Sequence, residues 1–106
     1  MIKKIFLSSL ILLLSFNSLF ATSIFFEEGL NLYNKNKLKD AKLKFEQDIV
    51  FNPKSELSYL YLSKIFNKQE KKKLEEQNLN TVILLNPKNE EAIYNLARLK
   101  LSSSDY

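Results

Sequence analysis

Phe51-Asn52-Pro53-Lys54 returns 34 residues later as Leu85-Asn86-Pro87-Lys88. Val50 and Leu84 precede the two copies, and Glu56 and Glu90 follow them at equal offsets. Proline has no backbone N–H and pushes the residue before it out of the α region, so each copy stops a helix. Each also closes an apolar, helix-patterned run. A helix stop repeated at a constant spacing of 34 implies a helix-turn-helix unit used more than once.

Working outward, the spacing of apolar residues predicts five helices and no strand. The first covers about 23–34. Phe25, Gly29 and Leu32 form one stripe, with Phe26, Leu30 and Tyr33 beside it. Thr22 or Ser23 is placed to cap it, and Glu27 and Glu28 lie near its positive end. The second covers about 38–51 and buries Leu38, Ala41, Phe45 and Ile49. The third, capped by Ser55 or its neighbour, runs to about Asn67 through Tyr59, Leu62, Ser63 and Phe66. The fourth begins near Gln69, carries Leu74, Leu79, Val82 and Ile83, and ends at Asn86-Pro87. Asn89 caps the fifth, with Ile93, Leu96 and Ala97 facing inward.

The beginning of the chain reads as an export signal. Lys3 and Lys4 precede a twelve-residue stretch, Ile5 to Phe16, that is apolar apart from three serines. Leu19-Phe20-Ala21 offers a cleavage site. The apolar stretch is shorter than the roughly 20 residues a membrane span needs, but Ile24, Phe25 and Phe26 prolong it weakly. An uncleaved N-terminal anchor is therefore the rival reading. Both place the remaining chain outside the cytoplasm, because the two lysines hold the N-terminus inside. The expected division is a signal peptide or anchor over 1–21, a helical repeat domain over 22–101 and a frayed tail over 102–106. The lysine, asparagine, isoleucine and phenylalanine bias, with one glycine and two prolines, points to AT-rich coding and a bacterial source. The expected location is the periplasm, or the periplasmic face of the inner membrane if the anchor stays.

Composition excludes several chemistries. The chain has no histidine, no cysteine and a single glycine, which removes zinc sites, Ser-His and Cys-His nucleophile pairs, and phosphate-cradling loops. Glu27-Glu28, Glu75-Glu76 and Glu90-Glu91 are adjacent, so on a helix they point about 100° apart and make poor acid–base pairs. No catalysis, cofactor or metal is expected. Without Lys3 and Lys4, fourteen basic residues face twelve acidic ones, a net charge of +2 that does not point to nucleic acid. Lys71-Lys72-Lys73 lies between Glu70 and Glu75-Glu76 and reads as a solvated, salt-bridged face.

The pattern resembles the tetratricopeptide repeat family. The residues that carry the likeness are Phe25, Glu28, Gly29, Leu32, Ala41, Phe45 and Pro53, then Tyr59, Leu62, Ser63, Phe66, Glu75, Leu79 and Pro87 at the same offsets. A truncated third copy shows Ile93, Leu96, Ala97 and Lys100. The resemblance implies an all-α fold, with antiparallel hairpins stacked as a short solenoid of about two and a half repeats. It also implies a concave groove that takes a peptide or a partner helix. By offset, that groove is lined by Phe26, Leu30, Tyr33, Leu60, Lys64, Asn67, Tyr94 and Arg98. The competing account is that Phe26, Leu30 and Leu60 pack on one another or on a second copy of the chain. The carboxylate clamp of chaperone-binding members is missing, since Phe26, Leu30, Tyr61, Glu91 and Asn95 stand at its positions. Glu75 departs from the small residue expected there, and a buried unpaired carboxylate would cost several kcal/mol. Its helix is therefore expected to turn Glu75 to solvent. The functional expectation is a non-catalytic adaptor or accessory subunit of an envelope assembly, or alternatively an anchored structural component. The partner is a protein or peptide, not nucleic acid. Membrane contact comes only through an uncleaved N-terminus, and a homo-oligomer remains open.

Overall fold

The computed structural model describes residues 23–103. The expected export segment and residues 104–106 of the expected tail lie outside the described residues. Within them the chain is all-helical: α1 (Ile24–Asn34), α2 (Leu38–Phe51), α3 (Glu56–Lys68), α4 (Lys72–Leu85) and α5 (Glu90–Ser102). Ser102, expected to fray, closes α5, and the hydroxyls of Ser102 and Ser103 donate to the Leu99 carbonyl. No described helix is long and apolar enough to cross a membrane.

The 34-residue spacing reappears in the turns, bond for bond. After α1, Lys37 N–H donates to the Leu32 carbonyl and Asn36 N–H to that of Tyr33. After α3, Lys71 donates to Phe66 and Glu70 to Asn67. Both are the paired closing bonds of a helix that ends on a left-handed residue. Those residues are Asn36, φ 61°, and Glu70, φ 58°. The second closure uses up Gln69 and Glu70, so α4 starts at Lys72, later than the apolar pattern predicts. The proline turns match as well. Asn52 donates to Asp48 and Ser55 to Asn52, while Asn86 donates to Val82 and Asn89 to Asn86.

Caps differ from the expectation. Asn89 accepts from the Ala92 N–H at 2.9 Å, as its sequence position implies. Ser23 and Ser55 make no such bond. Their hydroxyls act on Asp48 instead.

Each helix packs chiefly on its sequence neighbours. Two apolar clusters result. One joins Ala41 and Phe45 of α2 to Leu62, Ile65 and Phe66 of α3, with Phe26, Leu32 and Tyr33 of α1 against it. The other joins Leu60 of α3 to Leu79 and Val82 of α4 and Ala92 and Leu99 of α5. Gly29 fits because a Cβ there would come within 2.9 Å of the buried Phe45 ring. Two apolar positions fall elsewhere than predicted. Ile93 and Ala97 are exposed on α5, and Ala92 and Leu99 are buried in their place. Among the described residues no helix covers the α5 face that carries Ile93 and Ala97. Leu74 is likewise 40% exposed, since the inward side of the first turn of α4 belongs to Glu75.

Glutamate pays a steric penalty in the left-handed region that glycine avoids. Glu70→Gly is expected to raise stability by about 0.5–1 kcal/mol, and Asn36→Gly by less, because asparagine tolerates that region. Urea unfolding of the two variants beside the parent measures both.

Candidate functional site: a polar hollow beside α1, α3 and α5

Side-chain contacts link α1 to α3 and α3 to α5. Tyr61 of α3 meets Tyr33 of α1 edge-on at 5.1 Å, and Lys64 of α3 pairs with Glu91 of α5 at 2.6 Å. Residues from these three helices and from α4 enclose a hollow of about 200 Å³, lined by Tyr33, Ser63, Lys64, Asn67, Lys68, Glu75, Asn95 and Arg98. A second hollow of about 610 Å³ shares Asn67, Glu75 and Arg98 and adds Glu70, Lys72, Leu99 and Ser102.

Glu75 forms the floor. It is 3% exposed, which overturns the expectation that α4 turns it to water. The reason is local pairing. Asn67 Nδ2 donates to its two oxygens at 3.1 and 3.3 Å, and Arg98 Nη2 stands 3.9 Å from Oε1. A buried carboxylate that accepts hydrogen bonds beside a guanidinium loses far less than an isolated one. The repeat shows how the substitution is tolerated. Thirty-four residues earlier the same two positions hold Tyr33 and Ala41, so Asn67 and Glu75 replace an aromatic–small pair with a hydrogen-bonded polar one.

The rim is cationic and aromatic. Lys68 Nζ lies 4.5 Å from the centre of the Tyr33 ring, and Lys64 Nζ lies 4.8 Å from that of Tyr61. Glu91 offsets Lys64 and Glu75 offsets Arg98, while Lys68 and Lys72 add exposed positive charge. The arrangement offers ring faces and donors to a ligand that carries an acidic group. Among the described residues no group of carboxylates is arranged to hold a metal ion.

Of the eight residues expected to line a groove, Tyr33, Lys64, Asn67 and Arg98 come together here. Leu60 does not: it is 4% exposed and belongs to the α4–α5 core, so it has no surface to offer. Phe26 packs at 5.8 Å from Phe45 and 6.0 Å from Tyr61, and lines a separate depression with Ser23, Asp48 and Asn52. Leu30 is half-buried on α1, and Tyr94 is 68% exposed outside both hollows. Position 26 and its equivalents 60 and 94 thus have three different surroundings. Ser63, Lys68, Glu75 and Asn95 were missed. The joint change at 67 and 75 against 33 and 41 was the available signal for Glu75.

A second buried polar pair sits at the other end of the helices. Asp48, 1% exposed, accepts from Ser58 Oγ at 2.5 Å. Its repeat equivalents are Val82 and Ala92, both fully buried in the other core. Burial pushes the Asp48 carboxyl up, but the hydroxyls of Ser55, Ser58 and Ser23 together outweigh it and hold the group below its ordinary value. This pair reads as a structural variant of an apolar contact.

Two predictions follow from these pairs. Glu75→Ala alone should cost about 1–3 kcal/mol, and adding Asn67→Tyr, which restores the pairing of the first hairpin, should recover part of it. Thermal melts of the two variants decide. Asp48→Val with Ser58→Ala should match the parent within about 1 kcal/mol at neutral pH, whereas Ser58→Ala alone should cost about 1–3 kcal/mol. Because the folded value of Asp48 is depressed, its stabilising contribution is complete above about pH 4 and is lost as pH falls through the folded value. The parent should therefore weaken against the double variant below that point.

A scan against protein-family models finds no match for this chain, and a search of curated proteins finds none.

Proposed function

We propose that this chain is an exported adaptor of the tetratricopeptide type. In this reading it is non-catalytic, acts in a bacterial envelope assembly, and holds a peptide or partner helix that carries an acidic group. The observation that carries it is the hollow in which Tyr33, Lys64, Lys68 and Arg98 surround the floor set by Glu75. The turn bonds repeated at 34 residues and the lateral contacts from α1 to α3 and from α3 to α5 support a stacked-hairpin reading. A groove on such a stack binds through aromatic faces and charge-assisted hydrogen bonds. Partner binding would also stabilise a small repeat array by mass action.

A second reading has one specific observation in its favour. In it the chain is a structural component held by an uncleaved N-terminal segment. Ile24, in the first turn of α1, is exposed. N-terminal mass spectrometry of the native protein separates the two, with a chain beginning at Thr22 for the first and an intact Met1 for the second.

The groove itself is tested by substitution. Lys64→Ala with Lys68→Ala, neither of which pairs with Glu75, should abolish capture of an envelope protein that the parent retains, with a melting temperature close to the parent's. Capture unchanged by the double substitution would remove the hollow as the binding site. Equal loss of binding and melting temperature would assign both side chains to the fold.

A further inference from the structure

Helix α1 packs on α2 and helix α3 on α4, so each leading helix is covered by the one that follows it. Gly29 of α1 faces the Phe45 ring of α2, and its repeat equivalent Ser63 of α3 is buried. The next equivalent is Ala97 of α5, and it is exposed. Ile93 is 46% exposed, whereas its equivalent Tyr59 is partly buried against the second cluster. This face of α5 is a helix seat that no described helix fills.

The side chains on it are arranged symmetrically about Ala97. Ile93 stands four residues before Ala97 and Leu101 four residues after it. At 3.6 residues per turn the two lie about 40° to either side of Ala97 on the helix surface. Leu101 is 68% exposed, and so is Tyr94, which widens the stripe. Glu90 begins the helix, and Lys100, which pairs with Glu76 of α4, lies near its end.

We infer that α5 packs antiparallel against α5 of a second copy, about a two-fold axis through Ala97. The other two repeats show that the occupant of this face is a helix, and α5 itself supplies the complementary one. A two-fold contact needs a self-complementary patch, and the order apolar, small, apolar is the same from either end. Ile93 then meets Leu101 of the second copy at both ends of the contact, and the small side chain of Ala97 lets the helices approach between them. Charge favours the same direction. Antiparallel packing brings each Glu90 towards the helix end that carries Lys100, whereas parallel packing would set Glu90 against Glu90. The hollow is lined from α5 by Asn95 and Arg98, which are not part of the stripe, so it stays open in the pair. One helix face is smaller than a standard interface, so the dimer is weak, and its role is to present two hollows at once to a ligand that repeats. The inference goes beyond the adaptor reading and is probed through different residues, so either can fail alone.

Sedimentation equilibrium of the full chain at up to about 0.5 mM is expected to show monomer and dimer in exchange. Ala97→Glu, at an exposed position, should weaken the dimer at least about tenfold and leave the melting temperature of the dilute protein unchanged. A parent that stays monomeric, or a dimer that Ala97→Glu does not weaken, would overturn the inference. The chain contains no cysteine, so the register can be read by disulfide formation under a mild oxidant. Ala97→Cys should form a covalent dimer at least about tenfold faster than a control, Asn80→Cys, on the exposed side of α4. Ile93→Cys mixed with Leu101→Cys should cross-link faster than either variant alone. Rates at position 97 no higher than at position 80, or no gain on mixing, would also overturn it.

Discussion

The molecule depends on α3 being buried from two sides at once. Leu62, Ile65 and Phe66 face α2, while Leu60 faces α4 and α5. Ser58 and Ser63, both nearly inaccessible, spend their hydroxyls on Asp48 and on the Leu60 carbonyl. A 13-residue helix with six buried positions has no purely solvent-side repertoire. Its stability comes from the packing on both flanks, since an isolated helix of this length is marginal in water. The two apolar clusters have only this helix in common, and the hollow is built along the side that α3 shares with α1 and α5.

Within that frame the chain uses the same backbone twice with different interior chemistry. The turns repeat their hydrogen bonds at a fixed offset, yet Asp48 and Ser58 stand where Val82 and Ala92 stand, and Asn67 and Glu75 where Tyr33 and Ala41 stand. In both cases two contacting positions change together. That is the physical condition for keeping a buried polar group: its partner must arrive with it. The two exchanges lie at opposite ends of the helices. Both border a hollow, but only the one at Glu75 is lined by cationic side chains, Lys64, Lys68 and Arg98, which separates a polar pair that replaces apolar packing from one that sets the charge of a site.

Much of the fold was legible because its punctuation is local. Asn52-Pro53 and Asn86-Pro87 stop helices through proline chemistry that no tertiary contact overrides, and α2 was placed residue for residue. The start of α4 was missed because the closing turn of α3 depends on a left-handed glutamate, and a glutamate does not announce that conformation. The site was half legible. Lys64, Asn67, Arg98 and Tyr33 follow from the resemblance, carried over by the 34-residue offset. Leu60 shares its repeat position with Phe26 and Tyr94, but α4 and α5 close over it, and only packing decides that. Glu75 was read from the cost of isolating a charge, when the relevant fact was the amide one turn back on the neighbouring helix.

Because the two clusters meet only through α3, the architecture is coupled in series. Loss of α5 exposes part of one cluster and leaves Phe45 and its neighbours covered. Loss of α1 does the reverse. Such a chain need not open all at once: amide exchange should be slowest in α3 and quicken outward in both directions, so the outer helices can loosen while the middle still holds.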